Sequence, residues 1–167
     1  LISVPVRPAG FEGWVSLRAD GFLDVTIFSS LRYTNTAVAG WVWLTTAEER
    51  DAAAAAASVA LEPGTGILIG AVHDCDVFGT GNVVIRHGAS TDGVVYFTGF
   101  DPDPALTFTD ASGRFAIPNL APGSLVVDAF GRLMPGDPLT LLSHAEVTIS
   151  ADQITAIDLQ PRAGLER

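Results

Sequence analysis

The chain contains no lysine: all nine of its basic residues are arginines, set against 19 acids for a formal net charge of -10 at pH 7. Such a balance repels phosphate backbones and anionic lipid surfaces, which argues against nucleic-acid and membrane-surface roles and leaves cations, neutral ligands and other proteins as partners. The one cysteine, Cys75, cannot close an internal disulfide and leaves the redox compartment open. No apolar run reaches the roughly 18 to 20 residues that would carry a helix across a bilayer. Charged residues are also scarce, at 17% against 48% hydrophobic, and the mean hydropathy is +0.36. That is too apolar for disorder, and it predicts apolar surface that another subunit covers. The chain starts at Leu1 with no methionine, from which a processed or trimmed start is expected.

What is present reads as β structure. At 167 residues the chain can form one domain with a sizeable core, or one small domain plus an extension. From Gly66 onward, short runs rich in Val, Ile, Thr and Phe alternate with Gly, Pro, Asp and Asn: "ILIGAV" (67–72), "NVVIRH" (82–87), "VVYFT" (94–98), "ALTF" (105–108), "RFAI" (114–117), "SLVVDAF" (124–130), "AEVTIS" (145–150) and "ITAIDL" (154–159). Closely spaced strands of this kind predict an antiparallel sandwich or barrel. Earlier in the chain, residues 11–31 predict two strands joined by a tight turn at Ala19-Asp20-Gly21, and "AGWVWL" (39–44) a third. "TTAEERDAAAAAASVALEPG" (45–64) predicts a helix, with Thr46 and Glu49 as a capping box and Pro63-Gly64 as its stop. Its six consecutive alanines mark no preferred face, and a helix so smooth is expected to pack closely on a sheet. Composition places a boundary near residue 62, giving an N-terminal extension over 1–61 and a sandwich over 62–167.

"TDASGRFAIPNLAPG" (109–123) holds an acid, a hydroxyl and an arginine close together, residue types that a catalytic loop also uses. Asp110 can bond the backbone ahead of it and Gly113 can take positive φ, so two turns explain the stretch without chemistry. Together with "GILIGAVHDCDVFGTGNVVIRHG" and "EVTISADQITAIDLQP", this element makes residues 66–161 resemble the carboxypeptidase regulatory-like domain, a transthyretin-like β-sandwich. The resemblance rests most on T-D-x-x-G-x-F, a short apolar run, then P-G before a Val-rich strand. It implies a seven-stranded sandwich in which Thr109, Asp110, Gly113 and Phe115 are turn and core positions, and an accessory role in a secreted, periplasmic or cell-surface protein. Residues 1–60 lie outside it.

Each candidate chemistry meets a plainer alternative. "HDCD" (73–76) on a strand would send His73 and Cys75 to one side and Asp74 and Asp76 to the other, which divides a zinc set rather than building one. Cys75 as a nucleophile would need His87 or His144 brought beside it, and no spacing indicates that. The transthyretin-like core also occurs in intradiol ring-cleaving dioxygenases, which hold iron with two tyrosines and two histidines. Tyr33, Tyr96, His73, His87 and His144 supply the residue types, but there is no H-x-H pair. Calcium is the stronger metal reading: Asp92, Asp101, Asp103 and Asp110 offer hard oxygen donors in loops, although Asp-Pro pairs are also ordinary turn formers. Trp41 and Trp43 would share a strand face, with Trp14 on a neighbour, as a glycan platform or as core and interface. Strand-forming runs before the sandwich could extend its sheet or pair with another subunit.

The sequence therefore predicts a mainly β protein, a transthyretin-like or Ig-like sandwich preceded by about three strands and one Ala-rich helix. The expected function is non-enzymatic: a structural and binding module of a surface assembly, with a carbohydrate-binding module and a calcium-stabilised adhesion domain as the alternatives. No cofactor is expected apart from that calcium. The expected partners are protein subunits, including self-association through strand edges, and glycan.

Overall fold

A computed structural model describes residues 11–33, 44–74, 79–132 and 136–161. The fold is mainly β, as the sequence predicts. β1 (Phe11–Leu17) and β2 (Val25–Tyr33) form the N-terminal hairpin. Gly21 takes φ +83 at its tip, and the Phe22 amide donates to the Ala19 carbonyl at 3.2 Å. The connection is wider than a two-residue turn, and an Arg18–Asp24 ion pair of 3.0 Å ties its two sides together. The third expected strand, with Trp41 and Trp43, falls outside the described residues.

α1 (Ala47–Ala56) begins with the expected capping box, in which the Thr46 hydroxyl accepts from the Glu49 amide and the Glu49 carboxylate accepts from the Thr46 amide. It stops well before Pro63-Gly64. Ser58 turns left-handed at φ +58, the Val59 amide reaches the Ala54 carbonyl and the Ser58 amide the Ala55 carbonyl, closing the helix as a Schellman motif. Close packing on the sheet does not occur either: no residue of α1 is buried. A cleft of about 460 Å³ lies between the helix and the sheet end, lined by Leu23, Ala54, Val59, Ile67 and Ile154 among others. Alanine side chains are too short to fill that gap.

The remaining strands are β3 (Gly66–Val72), β4 (Val84–His87), β5 (Val95–Thr98), β6 (Asp101–Pro102), β7 (Arg114–Leu120), β8 (Gly123–Gly131), β9 (Thr140–Ile149) and β10 (Ile154–Leu159). They form two sheets, a seven-stranded one in the order β1-β2-β10-β3-β7-β5-β6 and a three-stranded one in the order β4-β8-β9. β10 lies between β2 and β3 and runs parallel to both, so the hairpin of the N-terminal extension shares a sheet with strands from the second part of the chain. Two sequence expectations fail locally. Residues 105–108 are not a strand, because the Asp103 carboxylate accepts the Ala105 amide at 3.0 Å and holds them in a turn. "PNLAPG" is not one punctuation: β7 continues through Pro118 to Leu120, and the chain then crosses to the other sheet.

The core lies where the three-stranded sheet covers the larger one. Cross-strand partners share a face, so the registers define a row across the inner face of the large sheet: Trp14, Phe28, Ile157, Gly70, Phe115, Tyr96. Tyr96 and Phe115 are buried at 4% and 1% exposure, whereas Phe28 is half-buried and Trp14 is 59% exposed. Gly70 is needed in this row, since a Cβ there would lie 2.5 Å from the Phe115 ring. The large sheet thus extends past its cover, and β1 and β2 form the overhang.

Candidate functional site

The patterned stretch at 109–114 is a structural clasp. Thr109 is buried, and its hydroxyl donates to the Thr80 carbonyl at 2.7 Å while accepting the Val83 amide at 3.1 Å. The Asp110 carboxylate accepts the Gly99 amide at 2.8 Å, the Ser112 amide at 2.7 Å and the Ser112 hydroxyl. Burial works to raise its pKa, but these bonds and the Arg114 charge outweigh burial and hold it below the ordinary value. Gly113 combines φ +71 with a backbone so close that a Cβ would meet the Val72 carbonyl oxygen at 2.1 Å. Arg114 donates to the Gly99 carbonyl and stacks 3.5 Å over the Phe100 ring. Acid, hydroxyl and arginine are all engaged within the clasp, at the turn positions the sequence resemblance implies, and Phe115 takes the core position.

The other expected chemistry is dispersed. His73 pairs with Asp158 at 3.2 Å, His87 with the Asp92 carbonyl at 2.8 Å, and His144 with Asp128 at 2.6 Å. Of the calcium candidates, Asp103 accepts from the Thr98 hydroxyl and the Ala105 amide, Asp110 belongs to the clasp, and Asp92 and Asp101 are exposed on a loop and on β6. Among the described residues no group of three or more His, Cys, Asp or Glu side chains is arranged to hold a metal ion. Cys75 and Asp76 fall outside the described residues. Tyr96 is a core residue whose hydroxyl accepts the Ile85 amide at 3.0 Å. Burial raises its phenol above 10.0, opposed only in part by that bond.

What the fold leaves available is its strand edges and the aromatic groups beside them. Among the described residues the two sheets have four edges, and side chains close one of them. At β4, Thr109 takes the Val83 amide just before the strand and Tyr96 the Ile85 amide; β9, ten residues long, is met near its end by the Thr155 hydroxyl, which donates to the Thr148 carbonyl. β6 is only two residues long and contains Pro102. β1 is seven residues long, without proline or lysine, and carries exposed Trp14. Sequence reasoning singled out Trp14 but missed Phe100, 71% exposed beside β6. Its position between Gly99 and Asp101-Pro102 was the available signal, because turn residues seldom reach a core.

No family model matches the chain, and no curated protein matches it in sequence. Among solved structures it is similar to one titled "Structure of the Streptococcal ancillary pilin", at 13% identity and a TM-score of 0.37. The likeness covers 89% of this chain and 44% of that one, so the chain spans less than half the length of the solved protein. No helix among the described residues is long and apolar enough to cross a membrane.

Proposed function

We propose that this protein is a non-enzymatic structural and binding module, secreted, periplasmic or on the cell surface, that serves as one subunit of a surface assembly. The observation that carries this reading is the overhang, a sheet whose inner face continues beyond its cover and ends on an edge strand bearing an exposed tryptophan. Unprotected edges are templates for pairing with another chain. Residues 66–161 are proposed to be a carboxypeptidase regulatory-like sandwich, and the T-D-x-x-G-x-F clasp supports that assignment. Binding in this reading is by backbone pairing and apolar contact, and no bond is broken.

The test is light scattering coupled to size exclusion, run with calcium and again with chelator. Assemblies independent of calcium are the expected result, and a monomer in both buffers would overturn the reading. Assembly that requires calcium would instead assign the ion to the loops of Asp92, Asp101, Asp103 and Asp110. The exposure of Trp14 also favours a carbohydrate-binding role, together with Trp41 and Trp43. Glycan binding that survives Trp14→Ala, Trp41→Ala and Trp43→Ala in a folded protein would remove these residues from that alternative, and no glycan binding by the wild type would remove the alternative itself.

A further inference from the structure

The subunit reading leaves open which surface pairs and with what. Resting on that reading, we propose that β1 pairs with β1 of a second copy, antiparallel about a two-fold axis through Val15. The sheet then runs unbroken from one copy into the other.

Three observations select this occupant and this register. The first is that β1 is a seven-residue edge of the large sheet without proline, whereas the other described edge of that sheet, β6, is two residues long and contains Pro102. The second is regularity: pairing with β2 is irregular between Phe11 and Gly13 and regular from Gly13 to Leu17, a run centred on Val15. Only a two-fold at Val15 sets that whole run against itself, with Gly13 across from Leu17 and Trp14 across from Ser16. The third is charge. The same register places Glu12, the acid of β1, across from Arg18, the base that follows it, and the two-fold repeats the pair. Arg18 is available for this, its side chain 74% exposed even while it contacts Asp24.

Packing on the uncovered face agrees. Trp14 of each copy would lie against the small Ser16 of the other, with the two indoles at diagonal positions about 7–8 Å apart along the pair, within reach of large aromatic side chains. The pairing would remove Trp14 from water and complete the row that the three-stranded sheet leaves uncovered. Self-complementary contact of one patch with itself is the usual way identical subunits form closed dimers.

The decisive experiment is disulfide trapping of the full chain in a Cys75→Ser background. A two-fold at Val15 brings the two Val15 Cβ atoms to about 4.5–5.5 Å, near disulfide range. Val15→Cys should therefore cross-link under mild oxidation, and Gly13→Cys and Leu17→Cys should not cross-link to themselves. Glu12→Arg or Arg18→Glu alone should weaken association about tenfold or more, and the double variant should restore it, because like charges then meet as opposites. If the wild type assembles but Val15→Cys does not cross-link and the charge variants assemble as before, this pairing is wrong while the subunit reading stands. If the wild type is a monomer, both fall. Slow amide exchange over Gly13–Leu17 in such a monomer would show that the chain's own residues cover the edge.

Discussion

The two ends of the inner row of the seven-stranded sheet have the same backbone and opposite surroundings. At one end Phe115 and Tyr96 lie under the three-stranded sheet, and the Tyr96 hydroxyl even secures the edge of that cover. At the other end Phe28 is half-buried and Trp14 stands in solvent. Strand-forming sequence and cross-strand register do not separate the two ends. Cover does, and the covered aromatic side chains are the ones whose burial contributes most to the stability of the single chain.

Substitutions along that row sharpen the contrast. Phe115→Ala, which empties the covered end, should cost about 3–5 kcal/mol in denaturant unfolding, the range for deleting a buried phenyl ring. Gly70→Ala should cost about 1–3 kcal/mol, because its methyl group would press on the Phe115 ring and the neighbouring strands cannot readily separate. Tyr96→Phe should cost about 1–3 kcal/mol by leaving the Ile85 amide without its acceptor. It should also change the alkaline limb of stability. The fold binds the Tyr96 proton more tightly than the unfolded chain does, so this contribution is intact below about pH 10 and lost as pH rises further; Tyr96→Phe should remove that loss.

The clasp gives the opposite sign. The fold binds the Asp110 proton less tightly than the unfolded chain, so its contribution is present above the ordinary 3.8 and lost as pH falls below it. Asp110→Asn should flatten that acid limb and leave the alkaline one unchanged. The smallest effect on the single chain belongs to the overhang: Trp14→Ser at a dilution that keeps the chain monomeric should shift unfolding by no more than about 0.5 kcal/mol. Its effect on association should be large. A Trp14→Ser monomer as destabilised as Phe115→Ala would break the comparison, since the overhang would then be core.

Much of the fold was legible because it depends on local chemistry. The capping box, the turn at Gly21 and most strands followed from residue type and spacing. What was not legible depends on partners distant in the sequence. Nothing in "ITAIDL" says that it runs parallel between β2 and β3, two strands from the first half of the chain, and nothing in "PNLAPG" says that the chain changes sheets there. The alanine run announced a helix but not its distance from the sheet. An Asp-Pro loop offers oxygens to a cation or to its own turn, and residue type does not show that those of Asp103 meet Thr98 and Ala105. Trp14 could be named from sequence, but its exposure depends on how far the smaller sheet reaches.

The position of β10 also governs the order in which the molecule can be made. Of the described strands the hairpin β1–β2 leaves the ribosome before the others, yet its only described strand partner outside the hairpin is β10, the last described strand to emerge. A nascent chain must therefore carry the β2 edge of that hairpin without its described partner until residue 154 has emerged. Any factor that shields a bare strand would have most to do before residue 154 appears, and least once β10 slots in beside Val25.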